Sequence, residues 1–339
     1  MFPATRVGIA CCLLPVACLL LFFLSTSSAV GAERAVALGL FSEDPSWDYR
    51  ATFFREIQRT GATHIAIVVP WYQSDVAATR IGRHPRFTAP DDTVLRVLRE
   101  AKEDGFRTIL FPIVRLEKEG GGDWRGTLRP TDAGAWRRSY AAFLERMAAL
   151  AAQGGAETVV LGSELATMDV DPAPWRALAA NVRRRFPGGS LVYSANWDHY
   201  DQVGFWDAVD RAGVTGYFEL TAGERAPTMD RLVESWRETW VRLMRFAHRT
   251  GKPLAFTELG YLSQDGTNAW PWKEGADEAI DLEEQRMCFE AFRRVWAAER
   301  RLGAAWIWNW FGWGGVSSKE YTPRGKPAEA EVARLFAAL

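Results

Sequence analysis

A chain of 339 residues is long enough for two average domains or one large barrel, and length alone does not choose between them. Its 41 Lys and Arg nearly balance 42 Asp and Glu, a formal net charge of −1 with no basic block, which excludes a surface built for nucleic acid or an anionic membrane. The four histidines (His64, His84, His199 and His248) are too widely spaced for a local ligand pair, so neither a metal nor a cofactor is expected.

In chain order, residues 1–32 read first as an address. Arg6 is the only charge before Glu33, and the uncharged run from Val7 ends in Val30-Gly31-Ala32, a small-residue cleavage site of a signal peptide. The same run could span a bilayer as an uncleaved anchor, and only then is membrane contact expected. Either way the remainder, residues 33–339, is expected to be exported, to the periplasm or beyond, or to face outward from a membrane anchor. Three of the four cysteines lie in this leader, leaving Cys288 mid-helix among apolar neighbours as an inert thiol with no disulfide partner.

From residue 33 onward, short apolar runs alternate with longer amphipathic ones. The predicted strands are 35–41, 64–71, 107–114, 158–163, 190–196, 213–218, 253–258 and 304–310, each rich in β-branched or aromatic residues. The predicted helices are 48–60, 91–104, 132–153, 172–186, 202–211, 228–250, 279–301 and 327–338. Asp, Thr and Pro mark several helix starts, and Gly105, Gly251 and Gly303 are placed as stops. Strands that read as continuously buried, alternating with helices and joined by no long linker, predict an α/β protein whose 33–339 region is a single (β/α)8 TIM barrel. A doubly wound sheet would carry a glycine-rich phosphate turn after the first strand, and "LGLFSEDPSW" has none.

In such a barrel, polar residues at the C-terminal ends of strands carry the chemistry. Strand 4 reads "ETVVLGSEL" and ends in Glu164; strand 7 reads "PLAFTELGY" and ends in Glu258. Neither run supplies an adjacent Arg or Lys, and an uncompensated buried carboxylate is costly, so each should open onto a cleft or meet a partner from another loop. Two carboxyls converging across a barrel mouth suit glycosidic cleavage, one donating a proton to the leaving oxygen while the other attacks the anomeric carbon.

The stretches "VVPWYQSDV", "WRGTLRPTDAGAWRRSY", "VLGSELATM", "YSANWDHY", "FTELGYLS", "AAWIWNWF" and "YTPRGKPAE" run through the chain in barrel order. Together they resemble glycoside hydrolase clan A, and most closely family 113, the retaining β-mannanases. The resemblance implies Glu164 as acid/base, Glu258 as nucleophile and Tyr217 as the tyrosine that hydrogen-bonds the nucleophile. It also implies a retaining double displacement on β-1,4-mannan or a related β-linked oligosaccharide. Two positions depart from the clan's pattern. Ser163 stands where much of the clan has an Asn that holds the sugar 2-hydroxyl, a contact that Asn196 could supply instead. Ile113 stands where a polar subsite residue is usual, with Arg115 or Glu117 as substitutes.

Sixteen tryptophans supply apolar faces for sugar rings. Trp71, Trp197, Trp308 and Trp310 lie at strand ends, with Trp124, Trp270, Trp272 and Trp313 in loops on the same side; Trp136, Trp175, Trp236, Trp240 and Trp296 fall within helices as packing. In "WIWNW" only one indole can floor the cleavage subsite, Trp308 before Trp310. Tyr72 and Gln73 suit hydroxyl recognition, and Trp124 with Arg125 forms an outer binding pair. The expected partner is thus a poly- or oligosaccharide, bound by a monomer, with endo action. Two alternatives accompany this reading: a catalytically silent carbohydrate-binding barrel, and a transglycosylase using the same carboxylates.

Overall fold

The computed structural model describes residues 1, 31–118, 120–273 and 278–339. The leader expected over residues 1–32 therefore lies almost wholly outside the described residues. Among the described residues no helix is long and apolar enough to cross a membrane.

Eight strands form the frame: β1 (Glu33–Gly39), β2 (His64–Gln73), β3 (Arg107–Leu116), β4 (Thr158–Ser163), β5 (Ser190–Ala195), β6 (Arg211–Thr215), β7 (Leu254–Leu259) and β8 (Leu302–Ile307). Each pairs in parallel with the next, and β8 closes on β1, with Ala35 opposite Trp306, as the sequence pattern predicts. Around them run α1 (Arg55–Arg59), α2 (Asp91–Glu103), α3 (Ala133–Gly154), α4 (Pro172–Arg185), α5 (Met229–Thr250), α6 (Leu282–Trp296) and α7 (Pro327–Ala338).

The helix expected over 202–211 is a correction. Only two single turns form there, Tyr200–Gln202 and Trp206–Ala208. Val203, Phe205, Trp206 and Val209 are buried at helix-like spacing, but Gly204 interrupts the segment and Arg176 of α4 donates to its carbonyl at 2.7 Å. Arg176 pairs with Asp207 at 2.9 Å and Arg183 with Asp210 at 3.1 Å. Gly303 is a second correction, because it lies within β8 rather than at a helix stop. Gly251, by contrast, ends α5 in the left-handed region at φ 67°, and Asp132 caps α3 by accepting from the Ala135 amide at 2.9 Å.

The strands are apolar on both faces because both faces are covered. Inside the barrel, Ala35, Ala37, Ala66, Ala255 and Ala304 make room for Phe111 and Trp306, whose rings meet edge to face at 6.1 Å. Outside, Leu, Ile, Val and aromatic residues pack against the helices, and Trp136, Trp175, Trp236 and Trp296 are buried there as expected of helix tryptophans. Full burial of one such large apolar side chain contributes roughly 1.5–3 kcal/mol. Cys288 sits in the same layer, its thiol pushed well above the usual range by burial.

Candidate active site

Strict alternation along β4 and β7 would not bring both carboxylates inward. On β7, Ala255 faces the barrel interior and Phe256 the helices, so a regular strand would turn Glu258 outward. Register shifts around residues 256–259 place Thr257 and Glu258 both inward before Leu259 returns to the helix side. On β4 the register likewise shifts between Val160 and Ser163. A Cβ on Gly162 would meet the Tyr140 hydroxyl of α3 at 2.7 Å, so this position faces the helices and Ser163 faces the centre. Such bulges are a common means of re-aiming a side chain beside a reaction centre.

Glu164 follows directly, with φ of 54°, the only positive φ outside glycine among the described residues. A side chain held in this region costs roughly 1–3 kcal/mol and persists only where its surroundings fix it. Here the Glu164 amide donates to Ser194 O at 2.8 Å, Leu165 is buried beneath, and the Thr167 hydroxyl donates to Leu128 O at 2.6 Å. A few residues on, Asp169 is fully buried and accepts from the Tyr193 hydroxyl at 2.7 Å. His199 Nε2 lies 2.8 Å from its other oxygen, which ties the loop after β4 to the loop after β5.

Both carboxylates are nearly closed off, Glu164 at 5 % exposure and Glu258 at 1 %, and each has partners from other strands. The Ser163 hydroxyl donates to Glu258 Oε1 at 2.7 Å, and the Tyr217 hydroxyl donates to Oε2 at 3.1 Å. Ser163 is braced in turn by Ser194 at 3.3 Å, which lies 2.7 Å from the Thr257 hydroxyl. Arg125, from the turn after β3, places Nη2 2.6 Å from Glu164 Oε2. Burial pushes Glu258 up to about 7, the negative charge of Glu164 adds to the rise, and Arg125, Ser163 and Tyr217 pull against it. The two carboxyls thus sense one another across a single site.

That rise has a stability consequence with a definite sign. Between about 4.5, the ordinary value, and about 7, the folded state binds more protons at Glu258 than the unfolded chain, so this group makes the fold less stable as pH rises through that window. Glu258→Gln removes the effect. Its melting temperature relative to wild type is expected to be higher at pH 8 than at pH 4.5, which calorimetric scans of both proteins will check. A constant difference would contradict the buried-charge account.

The other sequence candidates divide. Trp308 reaches the interior side of the mouth, 6.2 Å from Phe111. Trp124 is half-buried next to Arg125, over Gly126, where a Cβ would come within 2.3 Å of the indole. Trp197 is half-buried against Phe218, and Tyr72 packs beside His84 at 5.0 Å. Three candidates are corrections. Trp71 turns toward the helices and stacks on Phe143 of α3 at 4.8 Å. Gln73 is buried, donating to Asp75 O at 2.7 Å and accepting from the Trp136 indole at 2.8 Å. Trp310 is fully buried in the outer layer with its N–H 3.2 Å from Glu56 Oε2, because β8 has ended at Ile307 and its alternation with it.

Two further placements change the expected roles. Arg125 belongs to the Glu164 carboxylate rather than to an outer subsite. Asn196 donates to Asp198 at 2.7 Å and accepts from the Thr215 hydroxyl at 3.4 Å, so its amide is tied to its own loop and to the end of β6. Sequence reasoning missed the hydroxyl frame of Ser163, Ser194 and Thr257. The available signal was the small hydroxyl residue immediately before each strand-end Glu, in Ser163-Glu164 and Thr257-Glu258.

No curated protein matches the chain. Among solved structures it is similar to a GH113 β-1,4-mannanase complex at 22 % identity and TM-score 0.81, covering 91 % of this chain and 99 % of that one. It is similar as well to a GH113 β-mannanase from Alicyclobacillus acidocaldarius in complex with ManMIm, at 25 % identity and TM-score 0.79, covering 91 % and 98 %. A β-D-glucuronidase from Dictyoglomus thermophilum shares the fold more distantly, at 14 % identity and TM-score 0.60, over 91 % of this chain and 51 % of that one. Glycoside Hydrolase Family 113 matches residues 38–319, a span that holds both carboxylates and their frame. With two strand-end glutamates framed in one barrel mouth and a family match over most of its length, the chain belongs to glycoside hydrolase family 113 and is a glycosidase.

Proposed function

We propose that this glycosidase cleaves β-1,4-mannan or a related β-linked oligosaccharide from within the chain, by double displacement with retention, after export. The observation that carries the reading is the pairing of Glu164 and Glu258 in one buried frame. Ser163 and Tyr217 hold both oxygens of Glu258, the orientation a nucleophile needs to form a glycosyl-enzyme. Glu164, on the facing strand end, acts first as acid toward the leaving oxygen and then as base toward water.

The β-mannanase structures to which the chain is similar support mannan as the substrate. Endo action is supported by aromatic residues spread from Trp124 after β3 to Trp308 and Trp313 after β8. Export rests on the leader. Residues 33–339 incubated with oligosaccharides of β-mannan, β-glucan, xylan and chitosan, with products followed by NMR, test the proposal. Mannan products are expected with the β-anomer appearing first. The α-anomer first would overturn retention, no mannan cleavage would overturn the substrate, and products longer than the substrate would mark transglycosylation.

A further inference from the structure

A line of aromatic contacts leads away from Trp308, just past the C-terminal end of β8. Trp308 meets Phe311 at 5.3 Å, and Phe311 meets Phe41 at 4.8 Å. Beyond them, between the loops after β1 and β8, lies a cavity of about 240 Å³ whose walls are Phe41, Ser42, Trp47, Phe311 and Trp313 and whose inner side is closed by the buried Trp310. The rings of Trp47 and Trp313 stand 6.4 Å apart at 45°. Trp313 is 74 % exposed and Trp47 38 %.

An indole this exposed sits on a backbone made to hold it. Arg324 donates to Gly312 O at 3.0 Å, and the Gly315 amide donates to Arg324 O at 2.8 Å. Gly314, at φ 66°, lets the backbone pass Arg324 O where a Cβ would come within 2.3 Å. The Arg324 guanidinium lies 5.9 Å from the Trp313 ring and is itself anchored to Glu56 at 2.8 Å. Apolar surface left in water on a braced loop beside a cavity marks a binding surface.

We propose that the Trp47–Trp313 cleft is a distal platform for a β-linked oligosaccharide, holding sugar residues beyond the ring that sits at Glu164 and Glu258. Indole faces match the apolar C–H faces of pyranose rings, while Ser42 and the indole N–H groups meet hydroxyls. Continuity with the mouth through Phe41, Phe311 and Trp308 selects the far end of the same chain as the occupant. The platform makes the enzyme favour longer substrates, and it rests on the carbohydrate reading of the glutamate pair.

The test uses Glu258→Gln protein, in which ligands are not turned over, and titration calorimetry with β-1,4-mannobiose and mannohexaose, plus gluco- and xylohexaose. Trp313→Ala and Trp47→Ala are each expected to lower the ratio of hexaose to biose affinity about two- to tenfold. An unchanged ratio in both variants, or equal weakening of short and long ligands, overturns the platform while leaving the glutamate site standing. If no hexasaccharide of the panel binds Glu258→Gln itself, the carbohydrate reading fails and the platform fails with it.

Discussion

Glu258→Ala is expected to lower kcat on mannan by on the order of 10⁴ to 10⁶, while oligosaccharide affinity persists. The size follows from the proposed role: in a double displacement no glycosyl-enzyme can form without the carboxylate, and Ser163 and Tyr217 lose the group they hold. Azide, small enough to take the place of that group, should restore turnover of an activated β-mannoside and give a glycosyl azide of inverted, α configuration. The same reagent with Glu164→Ala should give the β configuration, because there it intercepts the glycosyl-enzyme from the opposite face. Retention of more than a tenth of wild-type activity by Glu258→Ala, or a β-azide from it, would remove the nucleophile assignment. A purely structural role for Glu258 predicts neither azide product.

The second large effect is expected at Arg125. Its guanidinium is ion-paired with Glu164, and an ion pair requires the carboxylate, whereas protonation of a leaving group requires the acid. On the proposed double displacement, substrate binding is expected to loosen the Arg125–Glu164 pair before Glu164 donates its proton. The turn that carries Arg125 follows Gly121 and Gly122, both at positive φ, a backbone that any side chain would strain. Arg125 also helps hold Glu258 below the value that burial and Glu164 would otherwise impose.

Arg125→Gln should lower kcat/KM by up to about tenfold at neutral pH, the size of a shift of about one pH unit in the Glu258 limb. The sign of its pH dependence is fixed. If Glu258 is the nucleophile, it works ionised, so kcat/KM is expected to rise as pH rises through the Glu258 value near 7, and loss of a nearby positive charge moves that limb to higher pH. The deficit of the variant should thus be larger at pH 6 than at pH 8.5. A limb that stays in place, or moves to lower pH, would show that Arg125 has no electrostatic hold on the pair.

The barrel was legible because eight buried strands and their helices leave a periodic signal that needs no tertiary knowledge. Glu164 and Glu258 were legible for a related reason: a carboxylate at the end of an apolar strand is too costly to be incidental. Legibility failed wherever a side chain's direction depended on which strand face closes inward or on a local break in period. Trp71 and Gln73 lie within β2, and their outward aim is set by which face of that strand the barrel closes on. Trp310 lies past the end of β8, where alternation no longer applies. The helix expected over 202–211 gave way to ion pairs with α4 that no local pattern announces.

By itself, then, the sequence determined the parallel barrel, its strand order and the two glutamates, because hydrophobic period and the cost of a buried charge are properties of single segments. Tertiary structure alone decided that Ser163 faces Glu258, that Arg125 binds Glu164 and that both carboxylates point inward. The inward aim of Ser163 and Glu258 depends on bulges in β4 and β7, and the Arg125 contact on the turn after β3; both bring together segments that are far apart in the chain.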